Sequence, residues 1–286
     1  MERKFLDLKT DAGHRQLSYL EAGAADNPRV VLCVHGMTRN GRDFERLAEV
    51  LDADARVICP DVAGRGESDY LADPTGYQIP TYVGDMLALI AHLGVPSVDW
   101  IGTSMGGVIG MAVAGAPDAS VRGLINRMVL NDIGPFVPKA ALERIVEYLT
   151  SDRGFADLTE AESSVRVTYA PFGLRTDAEW RWMTEVSFKA DGDGGVVPNY
   201  DPKIGDGYQD VEIGDAESWQ LWDAIDCPVL VLRGAESDIL LAETARDMTG
   251  RGPGATLVTF DSIGHAPALL ADDQIGAITD WFARTA

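Results

Sequence analysis

Short apolar runs alternate with amphipathic stretches along this 286-residue chain. Residues 2–9 (ERKFLDLK) and 15–22 (RQLSYLEA) alternate in period two, as half-buried strands do. Asp11-Ala12-Gly13 between them signals a hairpin. Residues 29–34 form an apolar run, continuous after Arg29, the pattern of a strand buried on both faces. Further short strands are predicted at 56–59, 98–101, 127–130, 228–232 and 256–260. Helical spacing appears at 43–51, 82–93, 105–116 and 275–282, the second of these closed by Gly94 with Pro96 beyond it.

Strands alternating with helices at this spacing predict an α/β fold with a mostly parallel, doubly wound sheet. Residues 135–226 break the pattern. They offer helical stretches at 140–149, 177–190 and 218–225 and a Gly/Asp-rich loop at 191–195, but no clear strand. The expected organisation is a core of residues 1–134 and 227–286, with residues 135–226 as a mostly helical cap insertion over one end of the sheet.

Composition narrows the partners. Lys plus Arg is 24 against 45 Asp plus Glu, a net charge of −21. Such a surface repels polyanions, so neither nucleic acid nor an anionic membrane is an expected partner. Cys33, Cys59 and Cys227 sit in or beside apolar runs, and their odd number and wide spacing predict buried free thiols rather than disulfides or a metal knuckle. The N-terminus lacks the apolar region of a signal peptide, and no run reaches 18 apolar residues, so a cytoplasmic protein is expected.

The chemistry begins at Ile101-Gly102-Thr103-Ser104-Met105-Gly106-Gly107. This G-x-S-x-G follows a predicted strand and opens a small-residue helix, the setting of a nucleophile elbow. The sharp turn needs tiny neighbours, hence Gly102 and Gly106. The helix N-terminus brings free N–H groups and a positive dipole end toward an oxyanion. An ordinary glycine turn is the competing reading.

These residues resemble the α/β-hydrolase fold family, and the resemblance extends over nearly the whole chain. His35-Gly36-Met37 is similar to its oxyanion loop, and residues 60–69 (PDVAGRGESD) to its D-x-x-G-x-G-x-S loop. Gly234-Ala235-Glu236-Ser237-Asp238 follows a late strand, where the family keeps its acid, and Gly264-His265-Ala266-Pro267 follows the last strand, where it keeps its His. The order Ser, Asp, His is the family's order.

A Ser hydroxyl needs a base, and a carboxylate must orient that base. His265 is the only His after the last predicted strand. His14 and His92 suit surface or core positions, and His35 suits a role in shaping the oxyanion loop. Two acids compete: the resemblance favours Asp238, while Asp132, after the strand at 127–130, matches the position some family members use. The backbone N–H groups of Met37 and Met105 are the expected oxyanion hole. Arg39, near Asp43, is a candidate for a substrate carboxylate or carbonyl, against a structural ion pair. Arg65, Ser68 and Asp69 read as braces of their loop. Trp180, Trp182, Trp219 and Trp222, with Met183 and Phe188, read either as packing of the insertion or as an apolar wall over Ser104.

The resemblance implies a serine hydrolase that cleaves a small carboxylic ester or lactone through an acyl-enzyme, with no cofactor and no metal. Ser rather than Asp at the elbow disfavours the epoxide- and halide-processing members. A second reading is hydrolysis of a carbon–carbon bond or enol lactone from aromatic-ring breakdown, for which Arg39 is the candidate cation. A third is a non-catalytic ligand receptor on the same fold. A monomer or homodimer is expected.

Overall fold

The structure, a computed structural model, describes residues 1–10, 13–150, 154–208 and 212–285. The period-two segments form β1 (Glu2–Thr10) and β2 (Gly13–Ala22), paired antiparallel. Asp11 and Ala12 of the expected hairpin turn lie outside the described residues. The next apolar runs form β3 (Val30–Val34), β4 (Arg56–Pro60), β5 (Val98–Thr103) and β6 (Ile125–Asn131). Between them run α1 (Glu45–Leu51), α2 (Ile79–Leu93), α3 (Met105–Ala114) and the short α4 (Ala119–Arg122). Gly94 ends α2 in the left-handed conformation, at φ 69°, where a Cβ is costly.

The segment after β6 holds β7 (Phe136–Val137), α5 (Lys139–Thr150), α6 (Leu158–Thr168), α7 (Asp177–Ser187), β8 (Phe188–Ala190), β9 (Val196–Pro198), β10 (Ala216–Glu217) and α8 (Trp219–Asp223). The strands differ from the strandless segment expected there. β8 and β9 form a small antiparallel hairpin, and β10 pairs with β7. Strands of two or three residues are too short to print a period on the sequence. The hairpin is closed by the acidic, glycine-rich loop, in which Asp191 Oδ1 accepts from the N–H groups of Asp193 and Gly195.

The chain closes with β11 (Val229–Gly234), α9 (Ala242–Gly250), β12 (Thr256–Phe260) and α10 (Asp272–Arg284). The main sheet has the order β1-β2-β4-β3-β5-β6-β11-β12. The β1–β2 and β2–β4 pairs are antiparallel, and from β4 to β12 every pair is parallel.

Alternation within the buried strands divides the core into two layers. Val30, Leu32 and Val34 face one layer with Leu89 and Ile90 of α2 and Ile109 of α3. Val31 and Cys33 face the other, with Leu47 of α1 and Ile278 and Trp281 of α10. Both faces are covered, so a continuous apolar run is what these strands require. Each fully buried side chain of this size contributes roughly 1.5–3 kcal/mol. A third, smaller cluster lies in the segment between β6 and β11, where Val165, Tyr169 and Met183 pack with Tyr148, Phe172 and Trp182. No helix among the described residues is long and apolar enough to cross a membrane.

Candidate active site

β5 ends at Thr103, and the chain turns at Ser104 into α3. Ser104 has φ 51° and ψ −116°, a conformation L-residues avoid unless their surroundings impose it. The glycines permit the turn. A Cβ on Gly102 would stand 2.4 Å from the Gly106 carbonyl oxygen, and one on Gly106 would stand 2.0 Å from that of Val34. The strand and helix therefore approach more closely than any side chain allows.

His265 reaches Ser104 from the loop after β12. Its Nε2 lies 2.9 Å from Ser104 Oγ, and its Nδ1 lies 2.7 Å from Asp132 Oδ2. The carboxylate must accept from Nδ1–H, which leaves Nε2 free to accept the Ser104 hydroxyl proton. Asn131 ties the two loops together, donating from Nδ2 to the Pro267 carbonyl at 2.9 Å.

The residue at His265 Nδ1 is thus Asp132 and not the expected Asp238. Asp132 follows β6 in a left-handed conformation, φ 58°, which Asp tolerates. Its carboxylate is fully buried. Oδ1 accepts from the Gly234 N–H at 2.8 Å, and Oδ2 accepts from Ser237 Oγ at 2.5 Å. After β11 the chain turns back, with the Ser237 N–H donating to the Gly234 carbonyl. That turn aims Ser237 inward at Asp132. Asp238 is left half exposed, where it accepts two hydrogen bonds from Arg144 at 2.8 and 2.9 Å.

His35 is buried in the loop after β3. Its Nδ1 lies 2.7 Å from the Gly36 carbonyl, and its Nε2 accepts from the Val62 N–H at 2.9 Å. Burial pushes its pKa down to about 4, so the ring is neutral and fixes the loop that carries Met37. Arg65, also buried, donates from Nε to the Met37 carbonyl at 2.9 Å and from Nη1 to the Ala63 carbonyl and the Tyr82 hydroxyl. Met105 occupies the first position of α3, where an N–H has no acceptor one turn back.

A cavity of about 510 Å³ opens over Ser104 and His265. Its walls include Met37, Tyr148, Tyr169, Phe172, Trp182 and Met183. Of the candidate pocket residues, Arg39 lines it, but each nitrogen of its guanidinium already holds a partner. Nε and Nη2 bind Asp43 at 2.9 and 2.6 Å, Nη1 donates to Ser187 Oγ, and the guanidinium lies over the Tyr169 ring. Burial alone lowers the basicity of this guanidinium, but Asp43 outweighs it and the net shift is upward. Arg39 braces the first loop against α7, as the ion-pair alternative has it.

Trp180, Trp219 and Trp222 do not line the cavity. Trp180 packs beneath Arg166, and Trp219 beneath Arg251. Trp222 is fully buried in the core, its Nε1–H donating to the Arg251 carbonyl at 2.9 Å. Helical spacing marks an apolar face but not which surface receives it. Trp182 and Met183 do reach the cavity. Tyr148, Tyr169 and Phe172 were not foreseeable as wall residues, because they belong to no motif. Ser237 lay inside a recognised stretch without a signal of its own.

The α/β-hydrolase fold family matches residues 29–272. A 3-hydroxybutyrate-oligomer hydrolase of Cupriavidus necator is 42% identical, over 97% of this chain and 96% of that protein. A solved α/β hydrolase of Novosphingobium aromaticivorans is 36% identical, with a TM-score of 0.86 and 99% of each chain covered. A solved protein of Rickettsia typhi is 30% identical, with a TM-score of 0.93 over the whole of both chains. The chain belongs to the α/β-hydrolase fold family and is an enzyme of that family.

Proposed function

We propose that this enzyme is a serine hydrolase of short-chain carboxylic esters, with oligomers of a hydroxy acid such as 3-hydroxybutyrate as the substrate class. The observation that carries the reading is the relay Ser104 Oγ, His265, Asp132, with contacts of 2.9 and 2.7 Å, at the floor of a partly apolar cavity. The substrate class is suggested by the Cupriavidus necator relative.

Ser104 Oγ attacks the ester carbonyl while His265 Nε2 takes its proton. Asp132 stabilises the resulting imidazolium and holds its tautomer. The N–H groups of Met37 and Met105 receive the oxyanion, each such donor contributing about 10²–10³ in kcat. His265 then returns the proton to the leaving alkoxide. Water, activated by the same imidazole, attacks the acyl-enzyme and frees Ser104. Residues 135–226 act as the cap that walls the acyl group. The carbon–carbon reading named Arg39 as its cation, but each nitrogen of that guanidinium already holds a partner. The intact relay argues against the receptor reading.

The test is turnover of a p-nitrophenyl ester series from acetyl to dodecanoyl, and of linear 3-hydroxybutyrate dimers to tetramers, with Ser104→Ala as control. Short-chain and oligomer cleavage that Ser104→Ala abolishes is expected. If wild type neither turns over these esters nor reacts with a fluorophosphonate, the hydrolase reading is wrong.

A further inference from the structure

Among the described residues two guanidiniums line the cavity, and they are in opposite states. Arg39 is buried, with a partner on each guanidinium nitrogen. Arg144 is half exposed, on α5, one turn before Tyr148 and next to Ile145, both of which are cavity walls. Its Nε and Nη2 form a two-pronged pair with the Asp238 carboxylate, joining α5 to the loop after β11.

An exposed ion pair of this kind adds little to stability. It does hold the guanidinium plane in the orientation that accepts a carboxylate. Asp238 is equally half exposed, so releasing it to water costs little, and a carboxylate arriving from the cavity can take its place. Glu236 stands on the same rim and opposes an incoming anion, so Arg144 is the group that makes an acidic ligand acceptable there.

We propose that Arg144 is a carboxylate anchor, reading the free acid end of a short oligoester, with Asp238 as the internal carboxylate that occupies it at rest. This rests on the hydrolase reading above and adds a substrate feature to it: a monoanionic ester with a free carboxyl terminus. The two residues act on recognition and not on the reacting atoms.

The experiment compares kcat and KM for the linear 3-hydroxybutyrate dimer as its free acid and as its primary amide, in wild type, Arg144→Ala, Arg144→Lys and Asp238→Asn. Arg144→Ala is expected to raise KM for the free acid by about tenfold while the amide-capped dimer keeps its KM. Arg144→Lys restores the preference only in part, because an ammonium cannot make the two-pronged contact. Asp238→Asn is expected to increase the preference for the acid, since the competing carboxylate is gone. An acid-to-amide preference unchanged by Arg144→Ala overturns the anchor while leaving the hydrolase intact. So does an equal effect of the Arg144 and Asp238 variants on both dimers, which is the behaviour of a simple clasp. If wild type cleaves neither dimer nor any simple ester, the hydrolase reading fails and the anchor with it.

Discussion

Asp132 Oδ2 lies 2.7 Å from His265 Nδ1 and also accepts from the Ser237 hydroxyl at 2.5 Å, while Oδ1 accepts from the Gly234 N–H. Three donors, from the end of β11, the turn after it and the loop after β12, therefore fix one buried carboxylate, which cannot rotate without leaving a donor unsatisfied. Asn at this position is nearly the same shape but is neutral and offers its own N–H groups. Asp132→Asn should lower kcat on a short p-nitrophenyl ester by about 10³–10⁴-fold with KM much less affected. Steady-state kinetics of Asp132→Asn beside Asp238→Asn checks this. A loss of that size in Asp238→Asn alone would assign the role to Asp238.

Arg65 is buried, and among the described residues no carboxylate pairs with it. Its acceptors are the carbonyls of Met37 and Ala63 and the Tyr82 hydroxyl, and it lies over the Tyr77 and Tyr82 rings. It holds the Met37 peptide, whose neighbouring N–H is one of the two proposed oxyanion donors. Arg65→Met should cost about 3 kcal/mol of stability, because three acceptors lose a charged donor. It should also lower kcat by about tenfold or more with a smaller change in KM. Urea unfolding and steady-state kinetics on the same preparation separate the two effects. A variant that loses stability but keeps kcat would reduce Arg65 to a brace of its loop.

The neutral ring of His35 makes stability depend on pH. Its pKa is ordinarily 6.5 and falls to about 4 in the folded protein because the ring is buried. The unfolded chain therefore binds a proton that the folded chain refuses between these values. Stability is complete above pH 6.5 and is lost as pH falls toward about 4, by up to about 3 kcal/mol. The hydrogen bonds agree in sign, since a proton on Nε2 would face the Val62 N–H. Denaturant unfolding at pH 7 and pH 5 should show a smaller pH dependence in His35→Gln than in wild type. An equal dependence in both would remove His35 as its source.

The strained turn at Ser104 was legible because it demands glycine on either side of it and a strand and helix around it, and those are local features. The choice between Asp132 and Asp238 was not. β6 and β11 are parallel neighbours in the sheet, so the residues that follow them emerge side by side at the same edge. Only the turn from Gly234 to Ser237 decides which carboxylate points inward, and that turn is set by contacts to residues a hundred positions away. The insertion fails for the same kind of reason. The spacing of Trp219 and Trp222 marks an apolar face on α8, but Leu221 of that helix packs against Gly115, where a Cβ would stand 2.3 Å from its carbonyl oxygen. That close approach takes Trp222 down into the core and away from the cavity.

The aromatic wall of the cavity is expected to set acyl length. Tyr169 and Phe172 stack with ring centroids 4.7 Å apart, and Tyr148 meets the Tyr169 hydroxyl at 2.7 Å. All three line the cavity. Phe172 is only partly buried, so its truncation opens space at the cavity without opening the main core. Phe172→Ala should move the best p-nitrophenyl ester toward longer acyl chains, by about two to four carbons if the vacated ring volume is refilled at the close packing of a protein interior. It should at the same time weaken turnover of the acetyl ester, which no longer touches the wall. The chain-length profile of the variant against wild type checks both parts. An unshifted optimum would mean that the acyl group lies elsewhere in the cavity, toward Met37 and Trp182, and that the aromatic stack holds α5 and α6 together without meeting substrate.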